Sequence, residues 1–155
     1  MSHFYLDASA AVKRYYPEIG SAWIRSLAEP AAGHTLVIGE ITLVEVAAAL
    51  AAKHRIPQGI SRAERDAAVA VFLSHCDTEY ELVATDRSSI DRAVSLTQSH
   101  RLRGYDAVQL ATALTVNEIL AAAGLSPLVF VSADNDLMVA ARAEGLETDS
   151  PSARP

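Results

Sequence analysis

Short apolar segments that favour β-strands alternate along this chain with longer segments that favour α-helices. The strand candidates lie at residues 3–6, 36–38, 81–84, 128–131 and 146–148. The helix candidates lie at residues 9–16, 18–28, 40–54, 61–74, 86–99, 105–123 and 135–143. Alternation of this kind predicts a three-layer α/β/α sandwich with a mostly parallel central sheet.

Local signals set the expected ends of these elements. Ser9 is a candidate N-cap for the first helix, and Pro17 would end that helix. Ser61 and Glu64 have the spacing of a capping box. At 155 residues the chain predicts one domain, residues 1–149, followed by a disordered tail at residues 150–155.

The cysteine content and the hydropathy pattern indicate where in the cell the protein is expected. Cys76 is the only cysteine, so no intrachain disulfide can form, which is typical of a reducing compartment. The start of the sequence lacks the pattern of a signal peptide. The most apolar run, residues 119–131, is interrupted by Gly124 and Pro127 and is not expected to span a membrane. We therefore expect a cytoplasmic protein without membrane attachment.

Four acidic residues lie at the edges of apolar segments, where acids are uncommon. They are Asp7, Glu45, Asp106 and Asp134. An ionised carboxylate is costly to bury unless a cation or a metal compensates its charge. The four acids are therefore expected to share a hard, oxygen-preferring cation such as Mg²⁺ or Mn²⁺.

Two of these acids directly follow predicted strands. Asp7 comes after the first strand, and Asp134 comes shortly after the strand at 128–131. Ligands bind at the carboxyl ends of strands in open parallel sheets, so both acids are expected at one edge of the sheet. Each also precedes a helix, so an ordinary helix cap is the competing interpretation.

The other two acids lie on predicted helices. Glu45 faces the same side as Ile41 and Ala49, which is apolar; its competing interpretation is a buried ion pair with a distant arginine. Asp106 shares a face with Leu110; its competing interpretation is an acid that interacts with the positive end of a helix dipole.

Further residues could complete such a site. Asp136 adds a fifth acid beside Asp134, as a metal ligand or as a helix-start residue. The hydroxyl groups of Ser9 and Ser132 could orient the carboxylates of Asp7 and Asp134, although caps explain them equally well. With 13 Lys and Arg against 19 Asp and Glu, the chain does not predict a generally basic surface for nucleic acid.

Other magnesium-dependent phosphoryl-handling domains fit the sequence poorly. A phosphatase of the haloacid-dehalogenase type would need a second aspartate two residues after Asp7, where this chain has Ser9. A receiver domain would need a lysine late in the chain, but the last lysine is Lys53.

The sequence resembles the PIN-domain ribonucleases, in particular the VapC-type toxins of toxin–antitoxin pairs. The resemblance rests on four segments in the same order: YLDASAAVKRY at 5–15, TLVEVA at 42–47, LRGYDAVQLA at 102–111 and VSADNDL at 131–137. It implies that Asp7, Glu45, Asp106 and Asp134 are the family's acidic quartet and that Asp136 is an additional acid.

The resemblance also implies a function. It implies a Mg²⁺- or Mn²⁺-dependent endoribonuclease that forms a homodimer and is neutralised by a cognate antitoxin in its cleft. Asp7 and Asp106 would be the central metal ligands, with Asp134 or Asp136 completing the site. Glu45 would activate water or bind a second ion. Arg103, Lys13 and Arg14 could contact RNA phosphates. The alternative is a non-catalytic domain of the same fold that binds RNA or a protein partner.

Overall fold

A parallel β-sheet lies between two layers of helices in the computed structural model, which describes residues 1–155. The strands are β1 (His3–Leu6), β2 (Thr35–Gly39), β3 (Tyr80–Val83), β4 (Val129–Val131) and β5 (Glu147–Asp149). The helices are α1 (Ala8–Ala11), α2 (Ser21–Leu27), α3 (Ile41–Arg55), α4 (Arg62–Thr78), α5 (Arg87–Ser99), α6 (Gly104–Ala122) and α7 (Asn135–Ala143). Short 3₁₀ turns lie at Val12–Arg14, Pro30–Ala32 and Pro151–Ala153. The predicted α/β/α sandwich is confirmed, and all strand pairs are parallel.

The order of the strands creates a natural ligand-binding edge. Across the sheet they run β3-β2-β1-β4-β5, so the chain builds outward from β1 in one direction and then in the other. Tyr5 in β1 pairs with Val37 of β2 on one side and with Phe130 of β4 on the other. The direction of winding therefore switches between β1 and β4, and ligands bind at the carboxyl ends of strands at such a switch point.

Alternate residues of each strand face opposite helical layers. On one face, Tyr5 and Phe130 stack at 5.6 Å between ring centroids and pack with α5, α6 and α7. On the other face, Leu6 and Val131 pack with α1, α2, α3 and α4. Two buried apolar clusters thus fix the sheet from both sides. None of the helices combines the length and the apolar character needed to cross a lipid bilayer.

The first helix begins two residues earlier than Ser9 would indicate. Asp7 is its N-cap, because the Asp7 carboxylate accepts a hydrogen bond from the backbone N–H of Ala10 at 2.9 Å. Ser9 lies inside the first turn, where its hydroxyl group bonds back to Asp7. The capping box of Ser61 and Glu64 is present as predicted.

The segment after β5 is ordered, which corrects the expectation of a disordered tail. Pro151 is buried against Gly20, whose positive φ of 88° and missing side chain leave room for the Pro151 carbonyl group. Arg154 lies 5.2 Å from the ring centroid of Trp23 and pairs with Asp149 at 2.8 Å. These contacts give a short polar segment enough packing to offset its loss of conformational entropy.

Candidate active site

The four predicted acids line one cavity at the carboxyl edge of the sheet. This cavity, here called the acid pocket, has a volume of about 150 Å³ and includes Asp7, Glu45, Asp106 and Asp134 in its lining. Asp7 follows β1 and Asp134 follows β4, so the switch point brings together residues that are far apart in sequence. Helices α3 and α6 contribute the other two acids. The predicted convergence of the four acids is therefore present in the fold.

Asp7 is the most deeply buried of these acids, with 4% of its surface exposed. Its Oδ1 accepts hydrogen bonds from the Ser9 hydroxyl group at 2.7 Å and from the Ala10 N–H at 2.9 Å. Its Oδ2 accepts a hydrogen bond from the Ser132 hydroxyl group at 2.7 Å. Burial raises the pKa of Asp7 to about 6, against these three hydrogen bonds, which stabilise the charged form.

Ser9 and Ser132 connect the two ends of the sequence around Asp7. The Ser9 hydroxyl group also accepts from the Ala133 N–H at 2.9 Å, and that of Ser132 accepts from the Asp134 N–H at 3.0 Å. Each hydroxyl group has one proton, which it donates to Asp7, so the 3.3 Å separation of the two oxygens is a contact without a shared proton. The two serines thereby hold both oxygens of the Asp7 carboxylate.

Glu45 is half-buried, and its partner is an amide instead of a cation. Its Oε2 accepts a hydrogen bond from Gln109 Nε2 at 2.5 Å. Burial raises the pKa of Glu45, and the negative charge of Asp106 raises it further, while the Gln109 hydrogen bond opposes the shift. The alternative of a buried ion pair with arginine is therefore not observed.

Gln109 is a site residue that the sequence reasoning missed. It lies on α6 one turn after Asp106, is 1% exposed and lines the acid pocket. Its position in the apolar stretch of α6 gave it the appearance of a core residue. The signal that could have identified it is its polarity, three positions after an acid on an otherwise apolar face.

Asp106 and Asp134 approach the pocket from helix N-termini. Asp106 lies in the first turn of α6, and Asp134 is the N-cap of α7, where its Oδ1 accepts from the Leu137 N–H at 3.1 Å. Burial and then the charge of Asp134 raise the pKa of Asp106, while Arg103 opposes the shift. Asp134 therefore combines the cap and pocket positions that the sequence had left as alternatives.

The donor chemistry of the pocket fits a hard divalent cation. None of the four carboxylates has a Lys, Arg or His nitrogen within 4.0 Å, although such pairs occur elsewhere in the chain. No three His, Cys, Asp or Glu side chains are arranged closely enough to bind one ion together. Mg²⁺ needs only one or two direct carboxylates and retains several waters, so this spacing is compatible with its binding.

A second, polar cavity of about 470 Å³ adjoins the acid pocket and shares Asp106 and Asp134 with it. Its other polar residues include His100, Arg101 and Arg103, which we call the basic rim. Asp136 lines this second cavity and not the acid pocket, and its Oδ2 lies 3.9 Å from Arg101 Nε. Asp136 therefore stands apart from the four acids with which the sequence had grouped it.

Lys13 and Arg14, which the sequence predicted to contact RNA, line neither of the two cavities. Lys13 is buried and pairs with Glu18 at 3.2 Å, because the 3₁₀ turn directs it into the protein. Arg14 pairs with Glu79 and packs over the ring of Tyr80 at 5.5 Å. Of the predicted RNA-binding cations, only Arg103 lies beside the acids.

The fold and the pocket define a class of protein: an α/β/α domain with an acidic site at the switch point of a parallel sheet. Comparison with protein families agrees, since residues 4–143 match the PIN domain. The chain belongs to the PIN-domain family. No curated protein sequence matches this chain closely enough to identify a relative.

Solved structures with the same fold include toxin and DNA-bound complexes. A chain of VapBC2 from Rickettsia felis, bound to a fragment of promoter DNA, has a TM-score of 0.64 at 14% identity, covering 96% of this chain and 98% of that one. A chain of FitAB bound to an IR36 DNA fragment has a TM-score of 0.63 at 14% identity, covering 96% and 94%. VapC20 of Mycobacterium tuberculosis, a toxin that cleaves the sarcin-ricin loop, has a TM-score of 0.61 at 16% identity, covering 98% and 99%. At these identities the similarity establishes the fold.

Proposed function

We propose that this chain is a Mg²⁺- or Mn²⁺-dependent endoribonuclease that acts as a toxin. The observation that carries the proposal is the acid pocket, where four carboxylates from four elements meet without a cation from the protein. Burial raises the pKa of three of these acids, Asp7, Glu45 and Asp106. Such shifts, caused by desolvation at one cleft, are typical of functional sites.

The residues of the pocket would have separate roles in phosphodiester hydrolysis. A divalent ion bound directly by one or two of Asp7, Asp106 and Asp134, and through its water shell by the other pocket acids including Glu45, would supply the charge compensation that the phosphate needs. Ser9 and Ser132 hold Asp7 in one orientation through its two oxygens. Glu45 is placed to accept a proton from the attacking water, because its carboxylate has no cationic partner and its pKa is raised. Hydrolysis by water leaves a 5′-phosphate and a 3′-hydroxyl end.

The basic rim provides a path for the RNA backbone in a chain of net charge −6. Arg103 is exposed and lines the cavity beside Asp106, where it can bind a phosphate next to the scissile bond. Tyr105 is 59% exposed and lines grooves on both sides of α6, so its ring can stack on a base. The cleavage of the sarcin-ricin loop by VapC20, which shares the fold, supports RNA as the substrate.

A protein partner completes the proposal. The promoter-bound VapBC2 complex and the FitAB complex share this fold, which supports a cognate antitoxin for this chain. Homodimer formation is also part of the proposal, and the exposed apolar side chains Val44 and Val94 offer surface for it. RNA as substrate and a single free cysteine fit action in the cytoplasm.

The test is cleavage of total cellular RNA by the purified chain, separated from any partner, in Mg²⁺, in Mn²⁺ and in EDTA. Asp106→Asn removes one pocket charge with little change in shape. Asp91→Asn is the matched control, because Asp91 is an exposed acid that pairs only with Arg87. We expect discrete products with 5′-phosphate ends from the wild type and from Asp91→Asn, and none in EDTA or from Asp106→Asn. Equal cleavage by Asp106→Asn would contradict the proposal.

The alternative is a non-catalytic domain of the same fold that binds RNA or a protein. One observation favours it: no three of the acidic side chains are close enough to share an ion. The same experiment separates the two functions when RNA binding is measured in parallel by gel shift. RNA binding without cleavage in any divalent ion would favour the alternative.

A further inference from the structure

Gln109 connects three elements behind the acid pocket through a single side-chain amide. Its Oε1 accepts a hydrogen bond from the Tyr5 hydroxyl group at 2.7 Å. Its Nε2 donates to Thr42 Oγ1 at 2.9 Å and to Glu45 Oε2 at 2.5 Å. Strand β1 and helices α3 and α6 are therefore joined by one buried polar group, and every hydrogen-bonding atom of that group has a partner.

The surroundings fix which way the amide faces. A flipped Gln109 would place its carbonyl oxygen against the Glu45 carboxylate, and two acceptors repel each other. In the flipped orientation the Tyr5 hydroxyl group would accept a hydrogen bond from the Gln109 amide nitrogen and would have to donate its own proton to another group. Tyr5 is fully buried, and its phenol oxygen is so tightly enclosed that a Cβ on Gly39 would lie 2.8 Å from it. The observed orientation, with the N–H groups toward Glu45, is the one that the Glu45 carboxylate favours.

This amide is the only protein group that binds the Glu45 carboxylate. Oε2 of Glu45 is held by Gln109, while Oε1 accepts no hydrogen bond from the protein. Groups that hold a ligand from behind tune metal affinity and activity by about 10- to 100-fold in known metal sites.

We propose that Gln109 is a positioning residue of the acid pocket, which fixes one oxygen of Glu45 and leaves the other free for the ligand. Tyr5 acts behind it by fixing the orientation of the amide. The inference rests on the proposed function, because it assigns Glu45 to a divalent-ion site. It goes beyond that function in assigning a role to a neutral residue, which acts through Glu45.

The test measures Mn²⁺ binding to the full chain by calorimetry, without RNA. The variants are Gln109→Met, Glu45→Gln and the double variant, and the control is Thr115→Val. Thr115 lies on the same helix, and its side chain bonds only to the backbone oxygen of Ala111. Thr115→Val therefore shows how much Mn²⁺ binding changes when α6 is altered away from the pocket. We expect Gln109→Met and Glu45→Gln each to weaken Mn²⁺ binding by about 10-fold. The double variant should be no weaker than Glu45→Gln, and Thr115→Val should stay within about twofold of the wild type.

A second variant keeps the test decisive if Gln109→Met does not fold. Tyr5→Phe retains Gln109 and removes only the O–H that orients it, so we expect a smaller loss of Mn²⁺ affinity, about two- to fivefold. That loss should disappear in the Glu45→Gln background. Unchanged Mn²⁺ binding in both Gln109→Met and Tyr5→Phe would overturn the inference, as would losses that multiply with that of Glu45→Gln.

Parallel RNA cleavage distinguishes failure of the inference from failure of the proposed function. Cleavage by the wild type, together with Mn²⁺ binding that is insensitive to Gln109, would overturn the positioning role and leave the ribonuclease. If Gln109→Met weakens Mn²⁺ binding only when Glu45 is present, and no RNA is cleaved, the positioning role would be supported and the ribonuclease overturned. A wild type that binds no Mn²⁺ would overturn both.

Discussion

At the scale of single residues, the burial of the Asp7 carboxylate in the acid pocket lowers the stability of the fold at neutral pH. Its carboxyl group is buried, and its pKa lies near 6 in the folded protein against an ordinary value of 3.8. A carboxyl group with a raised folded pKa stabilises the fold fully below the unfolded pKa and loses that contribution as the pH rises through the folded value. Ionised Asp7 is therefore a destabilising feature of the metal-free protein at neutral pH.

This cost predicts the effect of Asp7→Asn. Asparagine can still cap α1 but has no charge to bury, so the variant should be more stable than the wild type at pH 7.5 by about 1–3 kcal/mol. The difference should shrink as the pH falls from about 6 to below 3.8, where Asp7 is protonated in both states. Urea unfolding at several pH values measures it. A variant that is less stable than the wild type at every pH would contradict this explanation.

Arg103 is the residue of the basic rim whose effect on RNA should be clearest. Arg103→Ala should raise KM for RNA by about three- to tenfold and leave kcat nearly unchanged, because the lost contact is to a phosphate and not to the reacting water. The matched control is Arg87→Ala, which removes an equally exposed arginine that pairs with Asp91 away from the pocket. Steady-state cleavage of a short RNA provides both constants, and an equal effect of the two variants would show that only total charge matters.

At the scale of elements, Asp134 has two separable tasks, as the cap of α7 and as a member of the acid pocket. Asp134→Asn should keep the cap and lose cleavage, whereas Asp134→Ala should lose both, at a cost of about 1 kcal/mol in the free energy of unfolding. Ser61→Ala removes the cap of α4, which lies outside the pocket. It should cost about as much stability and leave cleavage intact. Urea unfolding and cleavage assays on the three variants test this separation.

The sequence predicted the elements well because strand segments, caps and helix-ending signals are local. It placed Asp134 and Asp7 at one edge through the rule for parallel sheets, and that placement is what the fold shows. It did not predict the partners of these acids. The role of Gln109 depends on Tyr5, 104 residues away, and no local pattern encodes such a contact. Lys13 was predicted to contact RNA because its pairing with Glu18 is likewise visible only in the fold.

At the scale of the whole molecule, a divalent ion should relieve the repulsion that the pocket creates. A ligand that binds only the folded state adds about 2.7 kcal/mol at 100 times its dissociation constant. For a chain of this size each kcal/mol shifts Tm by about 2–4 °C. Mn²⁺ should therefore raise the Tm of the wild type by several degrees, reversibly with EDTA. The same ion should have little effect on an Asp7→Asn/Asp106→Asn variant; an equal rise there would place the binding site elsewhere.

The packing of the last residues against α2 also belongs to this scale. Gly20→Ala would introduce a Cβ 2.3 Å from the Pro151 oxygen at a residue with φ of 88°. It should detach the segment after β5 and cost about 1–3 kcal/mol. Trp23 is the only tryptophan and lies beside Arg154, so its fluorescence reports the detachment directly. RNA cleavage below the new Tm should be unchanged, because neither Gly20 nor Pro151 lines the acid pocket.

The position of β1 at the centre of the sheet has a consequence for the synthesis of the chain. Asp7 is made 125 residues before Ser132, which holds one of its two oxygens. Strand β4, which carries the chain to Ser132, must pair with β1 before the pocket can close. A growing chain thus carries Asp7 long before it can assemble the acid pocket, because the pocket also needs β4 and Ser132. For a protein proposed to cut RNA, that order keeps the nascent chain inactive until β4 and Ser132 have been made and have folded onto β1.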